Sequence, residues 1–137
     1  MEATKENIER IKTAIKQKFP KTAFRFQTQG LKRLNTTLVV KWTNGAPYTE
    51  LSRFIERFQP KDLKGDGGLV IEPQRTYTLD FLQPVLLRVC NRHHVPVPPL
   101  EEIKLGNLAT GLLLPWTPNI VDGMDLQQLV NMTAKSV

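Results

Sequence analysis

Apolar positions in the first sixty residues follow two periods, and the switches between them mark out structural elements. Ile8, Ile11, Ile15 and Phe19 recur every three or four residues. That spacing predicts a helix over 5–19 with one buried stripe. Thr4 or a neighbour stands where a capping side chain belongs, and Pro20 supplies the stop. From 22 to 28 the period drops to two, with Phe24 and Phe26 alternating with Arg25 and Gln27. A second alternating run, 36–43, sets Leu38, Val40 and Trp42 on one side and Thr37, Val39 and Lys41 on the other. Two neighbouring strands joined by a short loop predict an antiparallel hairpin. Asn44-Gly45-Ala46-Pro47 then reads as a turn, with Pro47 as the first residue of a helix that runs to about Phe58. Leu51, Phe54, Ile55 and Phe58 give that helix its stripe.

This α-β-β-α order predicts an α+β fold, a small antiparallel sheet with helices packed on one face. Residues 59–68 are polar and glycine-rich, and they form a loop and the one candidate linker in what is expected to be a single domain over 1–137. Leu69–Glu72 and Gln74–Thr78 predict an extended segment broken at Pro73. Asp80 with Gln83 three residues later resembles a capping box, which places Pro84 in a helix's first turn. Phe81, Leu82, Val85, Leu86 and Val89 form the buried side of that helix, which ends near His93 or His94. The proline-rich run 95–99 must be extended. A strand over 108–116 and a last helix over 125–133, with Leu126, Leu129 and Val130 inward, complete the expectation.

Composition narrows the classes. The chain has 137 residues, 40% hydrophobic and 23% charged, which is ordinary globular usage and argues against wholesale disorder. No apolar run approaches the roughly 20 residues that span a bilayer, and the charged opening segment has no signal-peptide core. One cysteine, Cys90, cannot build an internal disulfide framework, so a reducing cytoplasm is the expected setting.

Catalytic and metal chemistry find little footing. Cys90, His93 and His94 are spaced to meet on a helix, but a structural zinc site usually has four Cys/His ligands. Histidines near a helix C-terminus, where the dipole favours positive charge, are a simpler account. Gly65-Asp66-Gly67-Gly68 lacks the Lys-Ser/Thr of a phosphate loop. Pro96–Pro99 fits a P-x-x-P pattern but lies two residues from a helix, as a rigid connector would. Carboxylates are scattered, with no pair set for acid–base work. The expectation is therefore a non-enzyme, with no catalytic residue, metal or cofactor.

Charge carries the positive signal. Residues 1–64 hold 14 Lys/Arg against 6 Asp/Glu, while 65–137 hold 5 against 7, within an overall net charge of +6. Such a dipolar chain attracts polyanions or acidic partner faces. Lys12, Lys16, Arg25, Lys32, Arg33, Lys41, Arg53 and Arg57 are the candidate nucleic-acid-binding residues. Phe24, Phe26, Phe54 and Phe58 belong to apolar stripes, so they are expected in the core and not as stacking platforms.

The stretch Ile8-x-x-Ile11…Phe19-Pro20-x-x-x-Phe24-Arg25-Phe26…Leu38-Val39-Val40-Lys41-Trp42-Thr43-Asn44-Gly45-Ala46-Pro47…Phe54-Ile55-x-x-Phe58 resembles a domain family associated with large polyvalent proteins. Ala46 departs from the family's adjacent Gly-Pro, and Arg25 stands where a serine is usual. The resemblance spans residues 8–58 and implies a mobile-element (phage or plasmid) setting with an accessory binding role. It transfers no catalytic residue. The expected partner is nucleic acid or a nucleoprotein complex. The alternative is a host protein, bound by an inhibitor or adaptor of anti-defence type through Leu112, Leu113, Leu114 and Trp116 of the C-terminal third.

Overall fold

A computed structural model describes residues 3–30, 36–58, 68–105, 112–114, 120–121 and 123–137. The chain divides into two compact units, Met1–Arg75 and Thr76–Val137.

The first unit opens with α1, Lys5–Lys18, whose start is fixed by Thr4: its side-chain oxygen accepts the Asn7 N–H at 3.1 Å. The hairpin follows, β1 at Phe24–Gly30 and β2 at Thr36–Thr43, antiparallel with Phe24 opposite Trp42 and Phe26 opposite Val40. α2 covers Tyr48–Ile55, with Pro47 just ahead of its first turn and a 3₁₀ turn, Glu56–Phe58, closing it. β3, Leu69–Thr76, completes a three-stranded sheet in the order β1-β2-β3. The sheet is mixed, so β3 runs parallel to β2. Backbone and side-chain bonds mark both ends of that pairing: Thr36 N–H donates to the Gly68 carbonyl, and Arg75 reaches Asn44.

An α+β fold with the α-β-β-α opening is thus what the chain adopts, and a parallel third strand extends the expected antiparallel pair. The strand over 69–76 passes through Pro73 without a break. A proline is tolerated there because β3 is an edge strand, where a missing N–H forfeits no ladder bond on the open side. Ile11 and Ile15 of α1, Leu51, Phe54 and Ile55 of α2, and Leu38, Val40, Trp42, Leu69 and Ile71 of the sheet make one buried cluster. Both helices therefore cover the same sheet face, which the period-two and period-3.6 stripes dictate. Val39, on the side of β2 expected to be polar, is fully buried as well.

The second unit is built on two helices. α3 spans Leu79–His93, and its cap is Thr78, which accepts the Phe81 N–H at 3.3 Å. Asp80 therefore sits inside the first turn and is not the cap. Pro84 becomes the sixth helical residue, where its ring removes a bond to the turn before it. The helix ends on His94 in the left-handed conformation (φ 54°), with Val95 N–H returning to the Cys90 carbonyl at 2.9 Å. After a 3₁₀ turn at Leu100–Glu102, β4 (Lys104–Leu105) pairs antiparallel with β5 (Leu112–Leu113). These two residues are what the structure describes as strand within the predicted 108–116; 108–111 and 115–116 lie outside the described residues. α4, Leu126–Lys135, begins with a full capping box in which Asp125 and Gln128 each accept the other's backbone N–H. Leu82, Val85, Leu86 and Val89 of α3 pack with Leu126, Leu129 and Val130 of α4 and with Ile103. Each such burial stabilises by about 1.5–3 kcal/mol. Among the described residues no helix is long and apolar enough to cross a membrane.

Candidate functional site

β1 is an edge strand, and four of the candidate cations surround it. Its alternation sends Phe26 to the helix-covered face and Arg25 and Gln27 to the other. On the helix side, Lys12 and Lys16 stand one turn apart on α1, and both hold their ammonium groups near the Phe26 ring. The Nζ atoms lie 5.8 and 5.6 Å from its centroid. Lys12 also pairs with Glu9 at 3.3 Å, so Lys16 is the less neutralised of the two. On the far side, Arg25 lies directly opposite Lys41 in the hairpin register. Like charges so placed repel. Lys41 relieves part of this by turning its Nζ to Gln27 Oε1 at 3.0 Å. Beside this pair the strand carries Gln27, Thr28 and Gln29, with no carboxylate.

The remaining described candidates stand on other elements. Arg53 and Arg57 form a separate exposed pair at the end of α2. The Arg57 guanidinium rests 4.7 Å from the centroid of the Phe54 ring. Lys32 and Arg33 lie outside the described residues. Of the expected basic set, four thus stand about β1, and two stand on α2 and the 3₁₀ turn that follows it.

The aromatics behave as their stripes predict. Phe54 and Trp42 are buried, and Phe24, Phe26 and Phe58 pack half-buried against the same cluster. Tyr48 stacks on Trp42 with centroids 6.3 Å apart.

Sequence reasoning missed Arg75. It is 2% exposed, yet its Nε donates to the Asn44 carbonyl at 2.7 Å and its Nη2 to the Gly45 carbonyl at 3.4 Å. A buried guanidinium is tolerable only with such partners. The turn it grips is unusual: Asn44 and Gly45 both have positive φ. Trp42 Nε1–H donates to the Ala46 carbonyl, and Ala46 N–H donates to Thr22 Oγ1, both at 2.9 Å. Continuing the alternation of Leu69 and Ile71 through Pro73 places Arg75 on the core side, and this was the available signal. Its role is to fix the turn between β2 and α2.

In the second unit, Cys90 is buried and His94 exposed. Burial pushes the Cys90 thiol up from its ordinary value, which leaves it a poor nucleophile at neutral pH. Among the described residues no three His, Cys, Asp or Glu side chains are placed to hold a metal ion. Leu114 is half-buried against the second core, and its N–H donates to Gln127 Oε1 at 2.9 Å. Trp116 lies outside the described residues.

Comparison with protein-family models, with curated proteins and with solved structures returns no match.

Proposed function

We propose that this chain is a non-enzymatic binding protein of mobile-element type, acting in the cytoplasm. Its basic first unit contacts nucleic acid or a nucleic-acid-handling complex. The observation that carries the reading is the edge strand β1, with Lys12 and Lys16 on one side and Arg25 and Lys41 on the other. A phosphate backbone laid along that edge meets cations from above and below. The Arg25–Lys41 repulsion also gives an anion a favourable place to insert. The resemblance over residues 8–58 to domains of large polyvalent proteins supports the mobile-element setting.

Fluorescence anisotropy with labelled duplex DNA and single-stranded RNA, at several salt concentrations, tests it. Binding is expected to weaken with salt, by about −0.9 in the log–log slope for each duplex phosphate neutralised. Lys16→Gln and Arg25→Gln each reduce the slope by about one contact. Absence of binding at low salt rejects the nucleic-acid reading.

A second reading, a protein-partner adaptor or inhibitor such as an anti-defence protein, draws on Leu87 and Val97. Both are large apolar residues left exposed in the second unit. It predicts a partner complex that survives nuclease treatment.

A further inference from the structure

Between α3 and α4 the second unit holds a cleft of about 430 Å³, within the ~300–1,000 Å³ of small-molecule sites. One wall is the end of α3, where Arg88 and Arg92 stand one turn apart and Val89 and His93 form the adjoining row. The opposite wall is α4, with Leu129 and Met132 facing the space. Met124, tied back to Val121 by an isolated bridge, also lines it.

Two features of the lining point to a ligand. The first is charge: residues 76–137 carry four Lys/Arg against five Asp/Glu, yet two of the four cations stand in this one wall, and among the described residues no Asp or Glu lines the cleft. The second is apolar adaptability. Two of the chain's three methionines line the cleft, and Met132 is 52% exposed. Flexible thioethers in an open apolar wall conform to chains of irregular shape. Paired guanidinium groups match the planar, two-oxygen geometry of a carboxylate.

We infer that the α3–α4 cleft binds an amphiphilic carboxylate, with its head on Arg88 and Arg92 and its apolar chain running over Val89, Leu129 and Met132 toward Met124. Nothing in this rests on the nucleic-acid reading, and the two are tested with different ligands at different units.

The test titrates the full chain with decanoate below its micelle concentration, followed by calorimetry and by amide chemical shifts. Decanol and decyltrimethylammonium serve as neutral and cationic controls. Saturable one-to-one binding is expected, with the largest shifts at 88–93, Val121, Met124 and 129–137, weaker binding of decanol and none of the cation. Arg88 and Arg92 are exposed, so Arg88→Gln with Arg92→Gln keeps the fold while weakening decanoate by about ten- to a hundredfold. Circular dichroism checks that the helices persist. If they do not, Met132→Glu asks the same question from α4 and must likewise weaken decanoate. Failure to saturate, equal binding of all three amphiphiles, or unchanged affinity in the folded variants overturns the proposal. So does a concentration-dependent dimer that Met132→Glu abolishes, because a second copy would then fill the cleft.

Discussion

The two units solve the problem of a small core with different side chains. In Met1–Arg75 the rings meet in series: Phe26 against Phe24, Phe24 against Trp42 and Phe19, Trp42 against Tyr48, and Phe19 against Phe54, which in turn meets Phe58. In Thr76–Val137 the buried cluster is leucine, valine, isoleucine, alanine and Cys90, with the Tyr77–Phe81 pair packed at its margin. Rings carry large area and preferred edge or stacked geometries, so in the first unit directional ring contacts are added to the aliphatic packing of Ile11, Ile15, Leu38, Val40, Leu51, Ile55, Leu69 and Ile71. Aliphatic side chains between two helices are non-directional and fill space by interdigitation. Charge divides the same way. The first unit has a large excess of cations dispersed around an edge strand and α2, while the second, nearly neutral, gathers two arginines at one cleft. Net charge therefore describes long-range attraction, and local grouping describes a site.

Truncation inside the two cores probes the contrast most strongly. Trp42→Ala removes the ring at the middle of the aromatic series and its bond to Ala46, and is expected to cost about 3–5 kcal/mol. Leu126→Ala in the aliphatic core is expected to cost about 2–5 kcal/mol, toward the lower end if the helices close over the gap. Urea denaturation of both variants measures the difference. A Trp42→Ala loss no larger than that of Leu126→Ala would show that the ring contacts add nothing to aliphatic packing.

A smaller effect is expected at the turn between β2 and α2. Gly45 has φ +49°, and a Cβ there would sit 2.6 Å from Thr22 Cγ2. Gly45→Ala is therefore expected to destabilise by about 1–3 kcal/mol. Thr22→Ser, which removes that methyl but keeps the hydroxyl that accepts from Ala46, recovers part of the loss in the double variant. Full additivity of the two changes in a denaturation cycle would show that the close approach is not the cause. Least of the three is Asp125→Ala, which dissolves the α4 capping box at a cost of about 1 kcal/mol, read as a lowered melting temperature.

Much of the first unit was legible because its signals are local. The Ile8–Phe19 stripe, the Phe24/Phe26 alternation and the stop at Pro20 each lie within a few residues of what they specify. The parallel third strand was not, since its pairing with β2 depends on a crossover that no local pattern encodes. The cap of α3 was misplaced because Thr78 and Asp80 are both good capping residues, and only the helix's actual start separates them. At the site, the alternation already set Arg25 and Lys41 on the polar side of the two strands. That Lys12 and Lys16 flank the other side of β1 follows from which sheet face α1 covers, a tertiary fact. Arg75 was overlooked because an arginine at the end of an apolar alternation reads as solvent-exposed until its carbonyl partners in the 44–45 turn are known.

The open flank of β1 has one more consequence. A strand bordered on one side only leaves main-chain donors and acceptors available to another copy of itself, the usual beginning of edge-to-edge aggregation. Here any approaching twin brings its own lysines and arginines against those already present, so like-sign repulsion guards the flank. That guard is weakened by dissolved salt. Concentrated stocks of this protein should therefore keep better in dilute buffer than in brine.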